Sequence, residues 1–231
     1  MDVMDETKGY HSEISYENTA GLLSVNLYTK RVLYTGNTIT MGSNLHNMNV
    51  SLVYNSLFEL PSRDETGLGK KWKLDVEEYL YEYSDFYFYV DGLGSKHKFI
   101  KLKENKYYDE SGLGYILDTS NGCVIKDIKG NELRFTNNHL TEVVTIDGVD
   151  IAYEYVGDLL VKMYSKNNDR NEIVFKYNKD NYNCMTSYIK VNVLPNVYPT
   201  KKLLTICNTY IKLKIVFELI HFFVLLRVIV I

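Results

Sequence analysis

Histidines, paired carboxylates and glycine-rich triplets are the residues of this sequence that could do chemistry. No two histidines have the i, i+4 spacing of a zinc-protease helix, and they are scattered: His11, His46, His97, His139 and His221. Two carboxyls across a cleft could hydrolyse a glycoside, and paired acidic residues occur at Glu77/Glu78, Asp109/Glu110 and Asp147/Asp150. Gly67-Leu-Gly69 lacks the third glycine and the helix of a phosphate-binding loop. We therefore expect no enzyme, and neither a cofactor nor a metal site.

The composition favours an extended β-sheet with one solvated face. The chain has 231 residues, 21 of them Tyr and 9 Phe. Tyr suits a half-buried pleated surface, because its ring is apolar and its hydroxyl can remain hydrated. A net charge of −3 and a pI near 6.0 argue against nucleic acid as a partner. The 3 cysteines have no C-x-x-C spacing, so we interpret them as small hydrophobic residues.

Three similar segments follow one another between residues 127 and 187. Each consists of an alternating, aromatic-rich run, a polar turn and a second alternating run, which is typical of a β-hairpin. Phe135, Tyr155 and Tyr177 recur at intervals of roughly 20 residues, as in stacked repeats. The alternative is an ordinary antiparallel meander. Since one hairpin cannot bury its aromatic face alone, we expect an all-β fold in which these hairpins pair edge to edge.

Several short motifs resemble those of the Rhs and Tyr-Asp repeat family, in its clostridial, wall-associated form. Tyr155-Val-Gly157-Asp-Leu-Leu160 resembles the Tyr-Asp repeat itself. Asp91-Gly92-Leu-Gly94-Ser-Lys-His97-Lys-Phe99 matches the "D-G-x-G-x-x-H-x-F" motif of the segment that precedes the repeats. Tyr107-Tyr-Asp-Glu-Ser-Gly-Leu113 and the run from Gly130 to Phe135 are similar to two further motifs. The resemblance covers about residues 22–191.

Two motifs depart from the family pattern. Lys71 is inserted ahead of Trp72 in the "G-x-G-W-x-L-N" motif, and Asp75 replaces its Asn. The "N-x-Y-T-G-N" motif is split by Lys30-Arg-Val-Leu33, which leaves the register of that strand open.

The resemblance implies a structural rather than a catalytic role. In that family, arrays of β-hairpins form a curved shell around a C-terminal toxin domain. This chain would then be part of such a β-cage, secreted or displayed at the cell surface, with the rest of a longer repeat protein or its toxin as partner. It would serve toxin encapsulation and delivery, or contact at the cell surface. No signal peptide is visible in residues 1–17.

The chain divides into four segments by pattern. We expect a polar, disordered segment at 1–21, a β-rich lead-in at 22–126, hairpin repeats at 127–191 and an apolar tail at 192–231. Two hypotheses explain the tail: a frameshifted or truncated end of the array, or a segment, residues 203–231, that associates with a membrane. Glu218, His221 and Arg227 make a spanning helix there costly.

A carbohydrate- or cell-wall-binding β module is the competing hypothesis. Aromatic sheets can stack on sugar rings, and four aromatic residues could form such a face: Trp72, Tyr79, Tyr81 and Tyr83. Trp72 is the only tryptophan, and its large area favours a role as an anchor in the core.

Overall fold

The computed structural model describes residues 13–36, 38–43, 46–61, 68, 70–167, 171–178, 184–191 and 202–207. In these ranges every regular element is a β-strand, and every pair of neighbouring strands is antiparallel. The predicted all-β, antiparallel class is therefore confirmed. The described residues contain no helix long and apolar enough to cross a membrane.

The strands form three sheets. The N-terminal part contains β1 (Glu13–Asn18), β2 (Gly21–Asn26), β3 (Val32–Gly36), β4 (Ile39–Ser43), β5 (His46–Val50), β6 (Leu52–Asn55) and β7 (Trp72–Leu74). Here β1-β2-β3-β6-β7 make a five-stranded sheet, and β4 pairs with β5. The central part contains β8 (Tyr79–Glu82), β9 (Phe86–Val90), β10 (Lys96–Lys103), β11 (Lys106–Asp109), β12 (Ile116–Asp118), β13 (Cys123–Lys126), β14 (Glu132–Thr136) and β15 (His139–Val144). The last part contains β16 (Asp150–Val156), β17 (Leu159–Ser165), β18 (Asn171–Asn178), β19 (Cys184–Val191) and β20 (Lys202–Cys207).

Strands β8 to β15 form a closed ring. Each pairs with its neighbour in sequence, and β15 also pairs with β8 at the single register pair His139–Tyr79. The backbone amides of Leu80 and Leu140 complete this seam by donating to Asn138 and Glu78, each at 3.0 Å. The C-terminal half of β15 pairs with β16 instead, so the sheet continues from the ring through β16 to β20. This closure differs from a simple extended sheet, and it leaves the ring strands with few free edges.

The predicted hairpins β14–β15, β16–β17 and β18–β19 are confirmed by their strand pairing. A repeat with a period of 18 residues begins upstream of residue 127 and continues past it. One turn glycine of each copy has positive φ: Gly94 (78°), Gly112 (85°), Gly130 (96°) and Gly148 (76°). Buried residues repeat at the same interval: Phe99, Leu117, Phe135 and Tyr153. One hairpin of the ring is therefore one copy of an 18-residue repeat.

The turns at one end of the ring, here called the Asp-Gly turns, share one pattern of hydrogen bonds. Asp91 and Asp127 each begin one, and their side chains accept from the amides two and four residues further on. The glycine amide three residues further on donates to the backbone carbonyl of the first residue, as in Gly94 to Asp91 at 3.0 Å. Thr145 opens an equivalent turn with its hydroxyl. Asp and Thr suit this position because their short side chains bond to nearby amides.

The core fills the ring and continues along the open sheet. Phe99, Leu117 and Ile125 are fully buried in it, and they share one cluster with Met163 of β17 and Phe175 of β18. The outward side of β8 is covered separately, because Tyr79 and Tyr81 form a second cluster with Phe58, Leu60 and Val90.

The predicted terminal segments fall largely outside the described residues. This applies to residues 1–12 of the polar N-terminal segment and to residues 192–201 and 208–231 of the apolar tail. Residues 13–18 of the N-terminal segment form β1, which pairs with β2, so these residues are ordered, contrary to the predicted disorder of 1–21. Residues 202–207 of the apolar tail form β20, which pairs with β19.

Candidate functional site

A cluster of charged groups, here called the polar junction, links the five-stranded sheet to the ring. It comprises Lys73, Glu78, Tyr89, Asp91, His97 and Ser111. Its centre is Lys73 in β7, whose side chain is 0% exposed. The Lys73 ammonium donates to the backbone carbonyls of Asp91 at 2.9 Å and Gly92 at 2.7 Å. A buried ammonium is costly unless it is paired, so these bonds fix the first Asp-Gly turn against β7.

Carboxyl groups surround Lys73. Burial lowers the pKa of Lys73, and the charges of Glu78, Glu77, Asp91 and Asp75 oppose that shift. Burial raises the pKa of Glu78 to about 7, although its bond from Tyr89 and the charge of Lys73 act in the other direction. The carboxyl is held by the Tyr89 hydroxyl, which donates to it at 2.6 Å.

Two further carboxyls near Lys73, those of Glu77 and Asp75, also hold backbone amides. Glu77 accepts from the amide of Leu74 at 2.8 Å, and Asp75 accepts from the amide of Ser51 at 2.8 Å. Burial raises the pKa of Asp75. These bonds fix the short connection between β7 and β8.

His97 lies between two turns at the same end of the ring. Its Nε2 is 2.9 Å from a carboxylate oxygen of Asp91, and its Nδ1 is 3.2 Å from the Ser111 hydroxyl. Burial alone would raise the pKa of Asp91, but the bonds from His97 and the Ser95 amide hold it below its usual value. The imidazole thus ties the β9–β10 turn to the β11–β12 turn.

Asp91, His97 and Ser111 follow the order of a hydrolytic triad, but their bonds run differently. The Ser111 hydroxyl donates to Asp109 at 2.5 Å. Its proton is therefore directed at a carboxylate and not at the imidazole, whereas nucleophilic activation needs a hydroxyl that donates to the histidine. Because its proton goes to Asp109, the Ser111 hydroxyl oxygen is left to accept a hydrogen bond from His97. The chain of bonds stabilises two turns and presents no activated nucleophile.

The glycines of the motif leave no room for a side chain. A Cβ on Gly92 would lie 2.6 Å from the carbonyl oxygen of Asp75. Gly94 has a φ of +78°, and a Cβ there would lie 3.1 Å from the ring of Phe58. The five residues that match the family motif are thus brought together at the junction or just beneath it: Asp91, Gly92, Gly94, His97 and Phe99.

No protein-family model matches this chain, and no curated protein matches it. We therefore infer the function from the contacts and the geometry of the described residues. Among the described residues, no three or more His, Cys, Asp or Glu side chains are grouped so that they could hold a metal ion. At the polar junction, the cation that the carboxyls surround is Lys73.

The motif residues of the predicted repeats lie in the hairpins and not at the polar junction. Gly130 is in an Asp-Gly turn, and Phe135 is buried in the ring. The ring of Tyr155 packs 4.5 Å from that of His139, and Gly157 turns the next hairpin with a φ of 59°. The Tyr177 hydroxyl donates to the Leu160 carbonyl at 2.7 Å, which ties β18 to β17.

The four aromatic residues predicted to stack on sugars do not share one open face. Trp72 is 4% exposed and packs against Tyr54 at 5.1 Å between ring centroids. Tyr79 is 0% and Tyr81 7% exposed. Tyr83 is 37% exposed and stacks on Phe86.

Sequence reasoning missed Lys73, Glu78, Tyr89 and Ser111 as members of one site. One signal was available for Lys73, because it interrupts the apolar strand Trp72-Lys-Leu74. The 18-residue interval between Asp91, Asp109 and Asp127 would have placed Ser111 in a turn next to His97. Nothing in the local sequence relates Tyr89 to Glu78.

Proposed function

We propose that this chain is a non-catalytic scaffold segment of the Rhs and Tyr-Asp repeat type, a part of a β-cage. The observation that carries this proposal is the polar junction, where the bonds of Lys73, Asp91 and His97 go to neighbouring turns and strands. Such bonds fix the backbone of one hairpin against the next. They serve rigidity, which is the property that a shell requires.

The repeat itself supports the same proposal. Hairpins of 18 residues follow one another around the ring, and the sheet then continues through five further strands, β16 to β20. The family resemblance adds the proposed context: encapsulation and delivery of a toxin, or contact at the cell surface, by a secreted or surface-displayed protein of which this chain forms a part. Carbohydrate binding by the predicted aromatic face is the weaker proposal, since three of its four side chains are buried.

Hydrolysis assays distinguish a scaffold from an enzyme. The wild-type chain, Ser111→Ala and His97→Asn are incubated with fluorogenic ester, peptide, phosphate and glycoside substrates. A scaffold predicts no turnover by the wild type above buffer, and a lower Tm for His97→Asn because two turns lose their tie. Turnover that Ser111→Ala abolishes, with the Tm unchanged, would contradict the proposal.

Free sheet edges provide a second test. In the described part of the chain, β1 and β20 each pair with only one neighbour. Unpaired edges are templates for association, so we expect the chain to self-associate as its concentration rises. Light scattering across a concentration series measures this, and a monodisperse monomer at the highest concentration would count against a shell segment.

A further inference from the structure

The ring has a second end, opposite the Asp-Gly turns, which we call the ring mouth. The β8–β9 and β14–β15 turns meet there around a cavity of about 110 Å³. Leu80, Tyr87 and Phe135 form its apolar wall, and each is less than a tenth exposed. Asn137 and Asn138 form its rim, and both have positive φ in the tight turn between β14 and β15.

A carboxylate, that of the exposed Glu82, lines the cavity at this mouth. Side chains alternate along a strand, so Glu82 points to the same side of β8 as the buried Leu80. It lies beside its cross-strand partner Tyr87. Burial raises the pKa of Tyr87, and the hydrogen bond of its hydroxyl to Glu82 adds to that shift. Among the described residues, none of the ion pairs involves Glu82.

The remaining lining group adds no charge. Cys123 contributes its thiol to the cavity, and burial raises its pKa, which favours the neutral form. The mouth thus combines one carboxylate, two side-chain amides and an aromatic wall. This set repels anions and has no cation of its own.

We propose that the ring mouth binds a primary alkylammonium group. An ammonium carries three donors, which the Glu82 carboxylate and the amide oxygens of Asn137 and Asn138 can accept. Its alkyl chain would contact Leu80 and Phe135, and its charge would lie near the Tyr87 ring, which attracts cations.

The size of the cavity limits the ligand. One water needs about 10–15 Å³ of such space, so the cavity has room for a group of several heavy atoms, such as an ammonium on a short chain. The group could come from a small free amine or from the side chain of a lysine in a polypeptide, and the two sources share the same chemistry.

Titration with n-butylamine at neutral pH, followed by NMR of the protein, tests the proposal. We expect saturable shifts of the Asn137, Asn138 and Tyr87 resonances with a Kd of about 1–10 mM, as a ligand of few heavy atoms allows. n-Butanol has nearly the same shape without the charge, and sodium chloride controls for ionic strength. The peptide acetyl-Gly-Lys-Gly-amide tests a lysine as the source, and its failure where butylamine binds would assign the site to free amines.

Glu82→Gln is the decisive variant and Glu104→Gln the matched control. Glu104 is an exposed glutamate in the β10–β11 turn and does not line the cavity. We expect Glu82→Gln to weaken butylamine binding at least about tenfold, and Glu104→Gln to leave it unchanged. Tm values of both variants check that the ring stays folded. Equal binding by the two variants, equal shifts with n-butanol, or no shift at about 100 mM butylamine would overturn the proposal.

Discussion

The closed ring and the open hairpins that follow it are built from the same strand-turn-strand unit, but their strands pair differently. In the ring, β8 to β15 pair on both sides, and Asp-Gly turns recur every 18 residues. From β16 onward the sheet is open, and its last described strand, β20, pairs with one neighbour only. Both regions bury large side chains, as Phe99 (0% exposed) and Phe175 (3%) illustrate. The difference therefore lies in strand pairing, because the ring closes on itself and the later sheet does not.

The largest effect should come from emptying the core of either region. Removing a buried Phe side chain costs about 3–5 kcal/mol. We expect Phe99→Ala to destabilise the entire ring, because its strands depend on one another for closure. Phe175→Ala should cost a similar amount but should open mainly the hairpin β18–β19. Urea denaturation combined with hydrogen exchange measures both. The comparison fails if Phe175→Ala speeds the hydrogen exchange of the ring amides as much as Phe99→Ala does.

Lys73→Met should break the link between the ring and the five-stranded sheet. The variant keeps the length of the side chain but leaves two carbonyls and the surrounding carboxyls without their cation. Removing one partner of a buried charged set costs about 3–5 kcal/mol. Lys71→Met is the control, since the ammonium of Lys71 pairs with Glu59, whose side chain is 70% exposed. Equal midpoints of denaturation for the two variants would show that the junction contributes little.

Raising the pH should weaken the same link. The pKa of Glu78 is about 7 in the folded chain against 4.5 unperturbed. Its stabilising contribution is therefore fully present below pH 4.5 and is lost as the pH rises through about 7. Gln does not titrate, so we expect the loss of unfolding free energy between pH 5 and pH 8 to be about 2 kcal/mol smaller in Glu78→Gln than in the wild type. The Gln amide oxygen can still accept from the Tyr89 hydroxyl. An unchanged slope in Glu78→Gln would assign the pH dependence to other groups.

The smallest effect should come from the contact between the ring seam and the first open hairpin. His139 Nε2 lies 3.0 Å from a carboxylate oxygen of Asp158, and the Asp158 side chain is 64% exposed. Pairs this exposed contribute less than about 1 kcal/mol. Asp158→Asn should therefore lower the Tm only slightly, whereas Asp91→Asn, at the buried His97, should lower it more. Calorimetry of the two variants compares them, and the reverse order would contradict the importance of the locked turns.

The sequence was sufficient for the hairpins of the repeat region but not for β1 or for the closure of the ring. Alternation and polar turns report the local conformation of each hairpin, so β14–β15 and β16–β17 follow from the pattern. Closure depends on the seam between β8 and β15, whose register pair and backbone hydrogen bonds join residues far apart in the chain. The site shows the same division. The motif around Asp91 and His97 is visible, whereas the approach of Lys73 to that turn depends on how two sheets pack.

Native-state hydrogen exchange tests the central claim most directly. We expect the amides of the ring strands, β8 to β15, to exchange through one common opening with the free energy of global unfolding. The amides of β16 to β18 should exchange through smaller openings while the ring stays protected. Equal protection along both regions, or lower protection in the ring, would contradict the account of a closed and locked ring that carries an open sheet.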